Sequence, residues 1–213
     1  MRLLNAIYQH PSLDDLRGNP AKLLATIDGF ANNEDFLISV GTDKAEILRN
    51  LIRDDPPGVL VEFGGYLGYS AVLFADEIRR ALPTGAAFRV WSLEFDPLFA
   101  SIAMNLIDLA GLSDHVKVVT GPAVASLRRL VSEGALDHID VLFLDHVESL
   151  YEPDLRAVQS LGLLRPSAQV WADNVVRPGA PDYRAYVRAH PSLQSKGVKA
   201  LIMPGNFEVF AHR

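Results

Sequence analysis

Short apolar runs alternate with amphipathic stretches over most of the chain. Five runs rich in β-branched and aromatic residues are each followed by a segment whose apolar residues recur every three or four positions. This alternation predicts strands at 59–63, 88–94, 116–119, 139–144 and 168–172, and helices at about 69–82, 97–110, 122–133, 152–162 and 180–189. Strands that alternate with such helices need right-handed crossovers, so we expect a doubly wound, mostly parallel α/β sheet covered on both faces.

The two ends of the chain follow different patterns. Before Val59 the apolar positions, such as Leu23, Ile27 and Phe30, have helical spacing, which predicts a helical annex over residues 1–57. After the last helix, apolar runs at 198–203 and 207–211 flank a Pro-Gly-Asn turn, which predicts a terminal hairpin. Because no linker or repeat separates these parts, we expect a single domain over 1–213 with its sheet core at 58–213.

Composition narrows the class of protein. The 213 residues are 49% hydrophobic and 22% charged, which is enough apolar material for one sizeable core. The net charge of −6 disfavours a nucleic-acid partner, because phosphate binding needs a basic face. The absence of cysteine excludes disulfides and thiolate metal sites. No apolar run is long enough for a signal peptide or a membrane span, so we expect a cytoplasmic protein with no membrane partner. We also expect a monomer or weak homo-oligomer that acts on a small molecule.

A glycine-rich turn follows the first predicted strand. Gly64, Gly65 and Gly68 lie between that strand and a helical pattern that begins near Tyr69. Glycines let a ligand approach the main chain closely, and the free N–H groups at a helix start favour electronegative groups. The turn therefore predicts a nucleotide cradle, although a plain strand-to-helix turn would show the same pattern.

Acidic residues stand at the carboxyl ends of the predicted strands, where doubly wound sheets bind their ligands. Glu94 could accept hydrogen bonds from the two hydroxyls of a ribose, or it could serve as an acidic helix cap. Asp145, Asp173 and Asn174 supply the hard oxygen atoms that Mg²⁺ prefers, although each aspartate alone could cap the turn after its strand. His146 could be a buried, satisfied imidazole or a catalytic one.

These motifs resemble those of the catechol O-methyltransferase family, particularly its fungal members. The resemblance is carried by residues 61–70, 93–94, 143–146, 172–175 and 178–181, and it extends over about residues 3–187. It implies a Rossmann-like methyltransferase fold with a seven-stranded sheet that contains one antiparallel strand. It further implies S-adenosylmethionine as methyl donor and Mg²⁺ as the ion that holds two vicinal oxygens of the substrate.

The resemblance also implies roles for individual residues. The methyl donor would contact Glu62, Gly64, Tyr66 and Ser70 at its methionine end, Glu94 at its ribose, and Val40, Gly41, Ala123 and Asp145 elsewhere. The metal ligands would be Asp145, Asp173 and Asn174. The substrate would contact Phe36, Ile38, Val147, Pro178 and, at its second hydroxyl, Glu208, although simple spacing would place Met203 there instead.

The chain departs from the family at the substrate and adenine positions. Glu148 stands where relatives carry a lysine two residues after the histidine, so Glu148 or His146 would take the proton of the substrate. A carboxylate there opposes the substrate oxyanion that a lysine would stabilise. Val147 replaces an aromatic side chain and would widen the pocket, while Ala123 and Val124 stand where relatives offer polar groups to adenine.

Three functions are compatible with these residues. The first is a Mg²⁺-dependent O-methyltransferase that acts on a catechol-like small molecule. The second is a repurposed member of the same fold that binds the donor or the metal without methylating catechols. The third is a nicotinamide-dependent oxidoreductase, which is disfavoured because Gly64, Gly65 and Gly68 lack the G-x-G-x-x-G spacing of dinucleotide sites.

Overall fold

The computed structural model describes residues 2–202 and 205–212, with the side chains of residues 2–198. The helices are α1 (Arg2–Tyr8), α2 (Leu13–Leu16), α3 (Pro20–Asn33), α4 (Gly41–Asp54), α5 (Tyr69–Ala81), α6 (Pro97–Leu109), α7 (Ala123–Ser132), α8 (Tyr151–Ser160) and α9 (Pro181–Ala189). The strands are β1 (Val59–Phe63), β2 (Arg89–Glu94), β3 (Val116–Thr120), β4 (Ile139–Leu144), β5 (Leu164–Ala172), β6 (Ser195–Ile202) and β7 (Gly205–His212).

The strands form one sheet in the order β3-β2-β1-β4-β5-β7-β6. Strands β1 to β5 pair in parallel, and β7 pairs antiparallel with both β5 and β6. The chain order reverses where β1 lies between β2 and β4, which is where doubly wound sheets open a crevice for ligands. The prediction of a doubly wound, mostly parallel sheet is confirmed.

Two apolar cores cover the two faces of this sheet. Alternation along β1 divides its side chains between them, because successive residues of a strand point to opposite faces. Leu60 lies in the core that also contains Leu23 and Phe74, and this core includes the N-terminal helices. Val61 and Phe63 lie in the opposite core. The predicted annex therefore packs on one face of the sheet, and α4 packs directly against α5.

The main difference from the predicted elements is at β5, which begins at Leu164 rather than at 168. Its first part, which includes Arg165, Pro166 and Ser167, is exposed and polar, so it lacks the apolar pattern from which strands are predicted. The pairing with β4 also shifts register between Ile139 and Val141. The two terminal strands are longer than predicted, at 195–202 and 205–212. No helix within the described residues is long and apolar enough to cross a membrane.

Candidate active site

A cavity of about 900 Å³ opens at the carboxyl ends of β1, β2 and β4. The predicted site residues that line it are Ile38, Val40, Gly64, Tyr66, Ser70, Glu94, Ala123, Asp145, His146, Val147, Glu148, Asn174 and Pro178. Gly41, Glu62 and Asp173 do not belong to the lining, and Phe36, which is 74% exposed, does not belong to it either. The side chain of Glu208 and the whole of Met203 lie outside the described residues.

The glycine turn brings three strand ends together. The Gly64 N–H donates to the Leu93 carbonyl at 2.9 Å, and the Asp145 N–H donates to the Phe63 carbonyl at 2.9 Å. Gly64 has a φ of 92°, and a Cβ atom there would collide with the Asp145 carbonyl. Only glycine fits this left-handed position without strain. Gly64 therefore permits the close approach of the main chain at Asp145, while the predicted approach of a ligand to this turn stays a prediction.

Glu62 is a buried carboxyl group beneath the turn. Ser70 donates a short hydrogen bond to its Oε1, and Ser92 donates to its Oε2 at 2.5 Å. Burial raises the pKa of Glu62 to about 7, the two serine hydrogen bonds oppose this rise, and the charge of Glu94 adds to it. No ion pair joins Glu62 to a cation among the described side chains, so this carboxyl group with two donors is suited to pair with a positive group of a ligand.

Glu94 ends β2 at the rim of the turn. Its Oε2 accepts a hydrogen bond from the Tyr66 N–H at 2.7 Å, and its Oε1 accepts one from the Asp96 N–H at 2.8 Å. Each carboxylate oxygen has a second lone pair, so both can still accept a hydroxyl hydrogen bond. The helix cap that could have explained Glu94 is provided by Asp96, which accepts from the Leu98 N–H at 2.7 Å. Glu94 therefore keeps free lone pairs at the cavity, and its role at a ribose stays a prediction.

An oxygen cluster, formed by Asp145, Asp173 and Asn174, follows β4 and β5. The Asp173 N–H donates to the Leu144 carbonyl at 2.9 Å, which ties the two strand ends together. Burial and the charge of Asp173 raise the pKa of Asp145 well above its ordinary value, although Asp145 keeps some exposure to the cavity. Burial likewise raises the pKa of Asp173 to about 6. Crowded carboxyl oxygens of this kind are stabilised by a hard cation, so the chemistry of the cluster fits Mg²⁺.

Lys44 supplies a positive charge to this oxygen cluster. Its Nζ lies 2.9 and 2.7 Å from the two carboxylate oxygens of Asp173 and 3.1 Å from Oδ1 of Asn174. Both Lys44 and Asp173 are buried. Within the described residues, no group of three or more His, Cys, Asp or Glu side chains is arranged to hold a metal ion. The oxygen cluster consists of two carboxylates and one amide, and the ammonium of Lys44 partly neutralises its negative charge.

Lys44 was not among the predicted site residues, although the sequence contains a signal for it. It lies four and eight positions before Leu48 and Ile52, which are buried on the same face of α4. A lysine on an apolar helix face is rarely buried without an acidic partner. Its spacing predicts burial, but its partner is 129 residues further along the chain and follows only from the tertiary structure.

His146 follows the oxygen cluster and is fixed on several sides. Its Nε2 lies 2.9 Å from Oδ2 of Asp154, and its ring packs against Phe63 and Tyr151, with centroid separations of 5.5 and 5.1 Å. Its Nδ1 is buried with no hydrogen-bonding partner among the described residues. The imidazole is thus held by Asp154 but not fully satisfied, so both interpretations of His146 stay predictions.

Exposed apolar side chains form part of the cavity lining. Ile38 is 67% exposed, Val147 60% and Leu150 45%, and all three line the cavity. Glu148 is partly buried at the start of a single 3₁₀ turn, Glu148–Leu150. Its side chain makes no hydrogen bond or ion pair within the described part of the chain. Pro178 also belongs to this lining.

Comparisons with known proteins identify the class. Residues 7–196 match the sequence profile of a family described as O-methyltransferase. Catechol O-methyltransferase of Bos taurus is 37% identical over 193 residues, which cover 91% of this chain and 67% of that protein. Catechol O-methyltransferase B of Danio rerio is 38% identical over 194 residues, which cover 91% and 70% of the two chains.

The crystal structure of an O-methyltransferase from Bacillus cereus in complex with SAH has the same fold. It superposes with a TM-score of 0.73 at 24% identity, covering 91% of this chain and 90% of that one. The chain belongs to the catechol O-methyltransferase family and is an S-adenosylmethionine-dependent O-methyltransferase. The prediction of an S-adenosylmethionine-dependent O-methyltransferase is confirmed, and the nicotinamide alternative is not supported.

Proposed function

We propose that this enzyme is a Mg²⁺-dependent O-methyltransferase that methylates one of two vicinal oxygens on a catechol-like small molecule. The observation that supports the proposal best is the oxygen cluster, whose members Asp145 and Asn174 line the same cavity as the glycine turn. Its chemistry suits a hard cation, and a cation with open coordination positions can hold two adjacent substrate oxygens. The two curated relatives described above are both named catechol O-methyltransferases.

The cavity divides into two sides. We call the part formed by the glycine turn and Glu94 the donor side, and the part lined by Ile38, Val147, Glu148, Leu150 and Pro178 the acceptor side. On the donor side, Glu62, Gly64, Tyr66 and Ser70 would bind the methionine end of S-adenosylmethionine. Glu94 would accept hydrogen bonds from its ribose, and Val40, Gly41 and Ala123 would lie beside the rest of the donor.

Asp145, Asp173 and Asn174 would hold the Mg²⁺ ion between the two sides. When bound, such an ion would lower the pKa of a coordinated hydroxyl; in the best case among divalent ions, that of Zn²⁺, the pKa of bound water falls from about 16 to about 7. Lys44 holds the Asp173 carboxylate and the Asn174 amide in a common orientation through its three contacts. The protein therefore fixes the positions of these oxygens, and a bound ion would share them with the ammonium of Lys44.

Methyl transfer forms a bond between the acceptor oxygen and the methyl carbon while the carbon–sulfur bond of the donor breaks. The electron pair of that bond stays on sulfur, and the acceptor hydroxyl loses its proton. Glu148 would take this proton because it is the acidic side chain of the acceptor side and has no partner there. His146, held by Asp154, is the alternative. A general base contributes about 10² to 10⁴-fold, so the metal and the alignment of the substrates should contribute more.

Initial rates of methyl transfer test the proposal. We expect the enzyme with S-adenosylmethionine and Mg²⁺ to methylate a simple alkyl catechol and to leave the matching alkyl phenol, which has a single hydroxyl, unmodified. Chelation of the metal should reduce the catechol rate by about 10³-fold or more, because the metal supplies several kcal/mol of charge stabilisation. Equal rates with and without chelator, or equal rates on the phenol, would contradict the proposal.

The repurposed alternative is favoured by one observation, the carboxylate of Glu148 on the acceptor side. If the enzyme binds S-adenosylmethionine but methylates no vicinal diol, Glu148→Lys discriminates between the two functions. A large gain of catechol methylation would indicate a lapsed catechol site. A loss of existing activity would indicate that Glu148 belongs to a specialised site.

A further inference from the structure

The cavity has a one-sided charge distribution. Its acidic lining residues are Glu94, Asp96, Asp145, Glu148 and Asp154. No lysine or arginine belongs to the lining within residues 2–198, where side chains are described. The ammonium of Lys44 lies behind the lining and is engaged by Asp173 and Asn174. The cavity is therefore an electronegative environment for whatever enters it.

Most of these acidic groups have a task in the structure. Glu94 accepts two backbone hydrogen bonds, and Asp96 caps α6 through the Leu98 N–H. Asp154 holds the ring of His146. Asp145 belongs to the oxygen cluster, whose charge is compensated by Lys44 and by the proposed metal ion. Glu148 alone has neither a protein partner within the described residues nor a place in that cluster.

Glu148 lies close to the reacting centre while remaining accessible. It follows Asp145 by three residues and lies between Val147 and Leu150, two exposed apolar residues of the cavity rim. Burial and the charges of Asp145, Asp173 and Glu148 raise the pKa of Tyr151. Glu148 also lines the cavity, so an acceptor ring packed on the apolar rim would bring its substituent near this carboxylate.

We propose that Glu148 is a specificity-determining residue that selects acceptors bearing a positively charged group, such as a protonated amine, outside their vicinal oxygens. This inference rests on the proposed function, because it concerns the acceptor of that reaction. A partly buried carboxylate attracts a cation a few ångströms away and repels an anion at the same distance. We expect each of these effects to change kcat/KM by about tenfold, since the effective dielectric near a protein surface is about 20.

Three catechols that differ only in the charge of one substituent test this proposal. They carry an aminoethyl, an ethyl or a carboxymethyl group at the same ring position, so they are cationic, neutral and anionic at neutral pH. For the wild-type enzyme with Mg²⁺, kcat/KM should fall about tenfold from the aminoethyl to the ethyl compound and about tenfold again to the carboxymethyl compound. Added salt should reduce both ratios, because the charges are partly exposed to solvent.

Two variants separate selection from proton transfer. Glu148→Gln should bring the three values of kcat/KM within about threefold of one another, and Glu148→Lys should reverse their order. Any role of Glu148 as proton acceptor affects all three compounds alike and cancels in these ratios. Glu133→Gln is the matched control, because Glu133 is exposed at the end of α7 and its loss removes the same charge. If turnover of a variant is too slow, calorimetric titration of its complex with S-adenosylhomocysteine and Mg²⁺ gives the ratios of Kd instead.

The outcomes distinguish this inference from the proposed function. Ratios within about twofold for the wild-type enzyme, or ratios that Glu148→Gln leaves unchanged, would overturn the selection by Glu148 while the O-methyltransferase function stands. If none of the three catechols is methylated or bound, the proposed function itself fails, and the inference fails with it.

Discussion

On the donor side of the cavity, Glu62 and Glu94 each accept two hydrogen bonds from nearby protein groups, whereas Glu148 on the acceptor side accepts none within the described residues. The donor side is formed largely by main chain at the glycine turn, while the acceptor side is formed by exposed side chains such as Val147. A site whose polar groups are already positioned binds with little reorganisation. The donor side is therefore preorganised for one ligand, and the acceptor side is open to variation in substrate.

The oxygen cluster resembles the donor side because its polar groups are already held by other parts of the protein. Lys44 contacts Asp173 and Asn174 through three short distances, so the cluster is aligned by the protein itself. Lys44 and Asp173 are both buried, and burying their charges costs free energy. The arrangement is stable only while the two charges stay paired. The following variants test whether the donor side and the oxygen cluster can be disrupted separately.

Asp145→Asn should have the largest effect on activity. The change removes one charged oxygen of the cluster with little change in volume, so we expect kcat/KM for a catechol to fall by about 10³-fold or more. The Kd of S-adenosylhomocysteine should change by less than about tenfold, because Glu94 and the glycine turn remain. Initial rates and calorimetry check the two values, and a parallel loss of both would contradict the separation of donor side and cluster.

Lys44→Met should have the largest effect on stability. It leaves the buried Asp173 without its cation, and breaking a buried ion pair in this way costs about 3–5 kcal/mol. Urea denaturation without added metal measures the free energy of unfolding. Adding Asp173→Asn to the same chain should recover much of the loss, because the carboxylate that Lys44 contacts directly is then removed as well. A loss below about 1 kcal/mol for Lys44→Met would show that the lysine is not needed to balance the cluster.

Glu94→Gln should weaken the donor side alone. Charge-assisted hydrogen bonds contribute about 1.5–3 kcal/mol, so the Kd of S-adenosylmethionine should rise about 10 to 100-fold. Binding of Mn²⁺, followed by its paramagnetic resonance signal, should be unchanged because Glu94 is not part of the oxygen cluster. Glu133→Gln is again the control for the lost charge. An unchanged Kd for the donor would refute the role of Glu94 at the ribose.

Glu62→Gln should have the smallest effect, a change in the pH dependence of stability. The pKa of Glu62 is raised from 4.5 to about 7, so the folded state is penalised when this group ionises. The penalty is absent below about pH 4.5, grows as the pH rises towards 7, and is fully present above it. The free energy of unfolding of Glu62→Gln relative to wild type should therefore increase by about 1–3 kcal/mol between pH 5 and pH 8.

Urea denaturation at these two pH values, without ligand, measures this difference. A constant difference between variant and wild type across the range would show that Glu62 does not titrate with a raised pKa. The same ionisation should strengthen binding of the donor as the pH rises through 7, because the ionised carboxylate pairs with a positive group of the ligand.

Features that depend on one strand and the turn after it were predictable from the sequence. Glu94, Asp145 and Asp173 each follow an apolar run, and a parallel sheet brings the carboxyl ends of such runs to one edge. The cavity lies at that edge. Glycine spacing likewise predicted the turn, since a left-handed φ at Gly64 is a local property of the backbone.

Features that depend on the packing of distant elements were not predictable. The spacing of Lys44 with Leu48 indicates burial but not the partner, because Asp173 meets it only after α4 packs beside the sheet. Likewise, the sequence shows that Glu148 is acidic but not that its side chain has no hydrogen-bond or ion-pair partner in the described part of the chain. The polar start of β5 was missed because its residues face solvent and carry no apolar pattern.

The most direct test of the central claim, that the oxygen cluster joins a preorganised donor side to an open acceptor side, is a crystal structure with S-adenosylhomocysteine, Mn²⁺ and an alkyl catechol. Mn²⁺ replaces Mg²⁺ on hard oxygen ligands, and its anomalous scattering locates it. The account predicts one anomalous peak bounded by oxygens of Asp145, Asp173, Asn174 and both catechol hydroxyls. A catechol bound in the cavity without metal, or Mn²⁺ bound away from these residues, would contradict it.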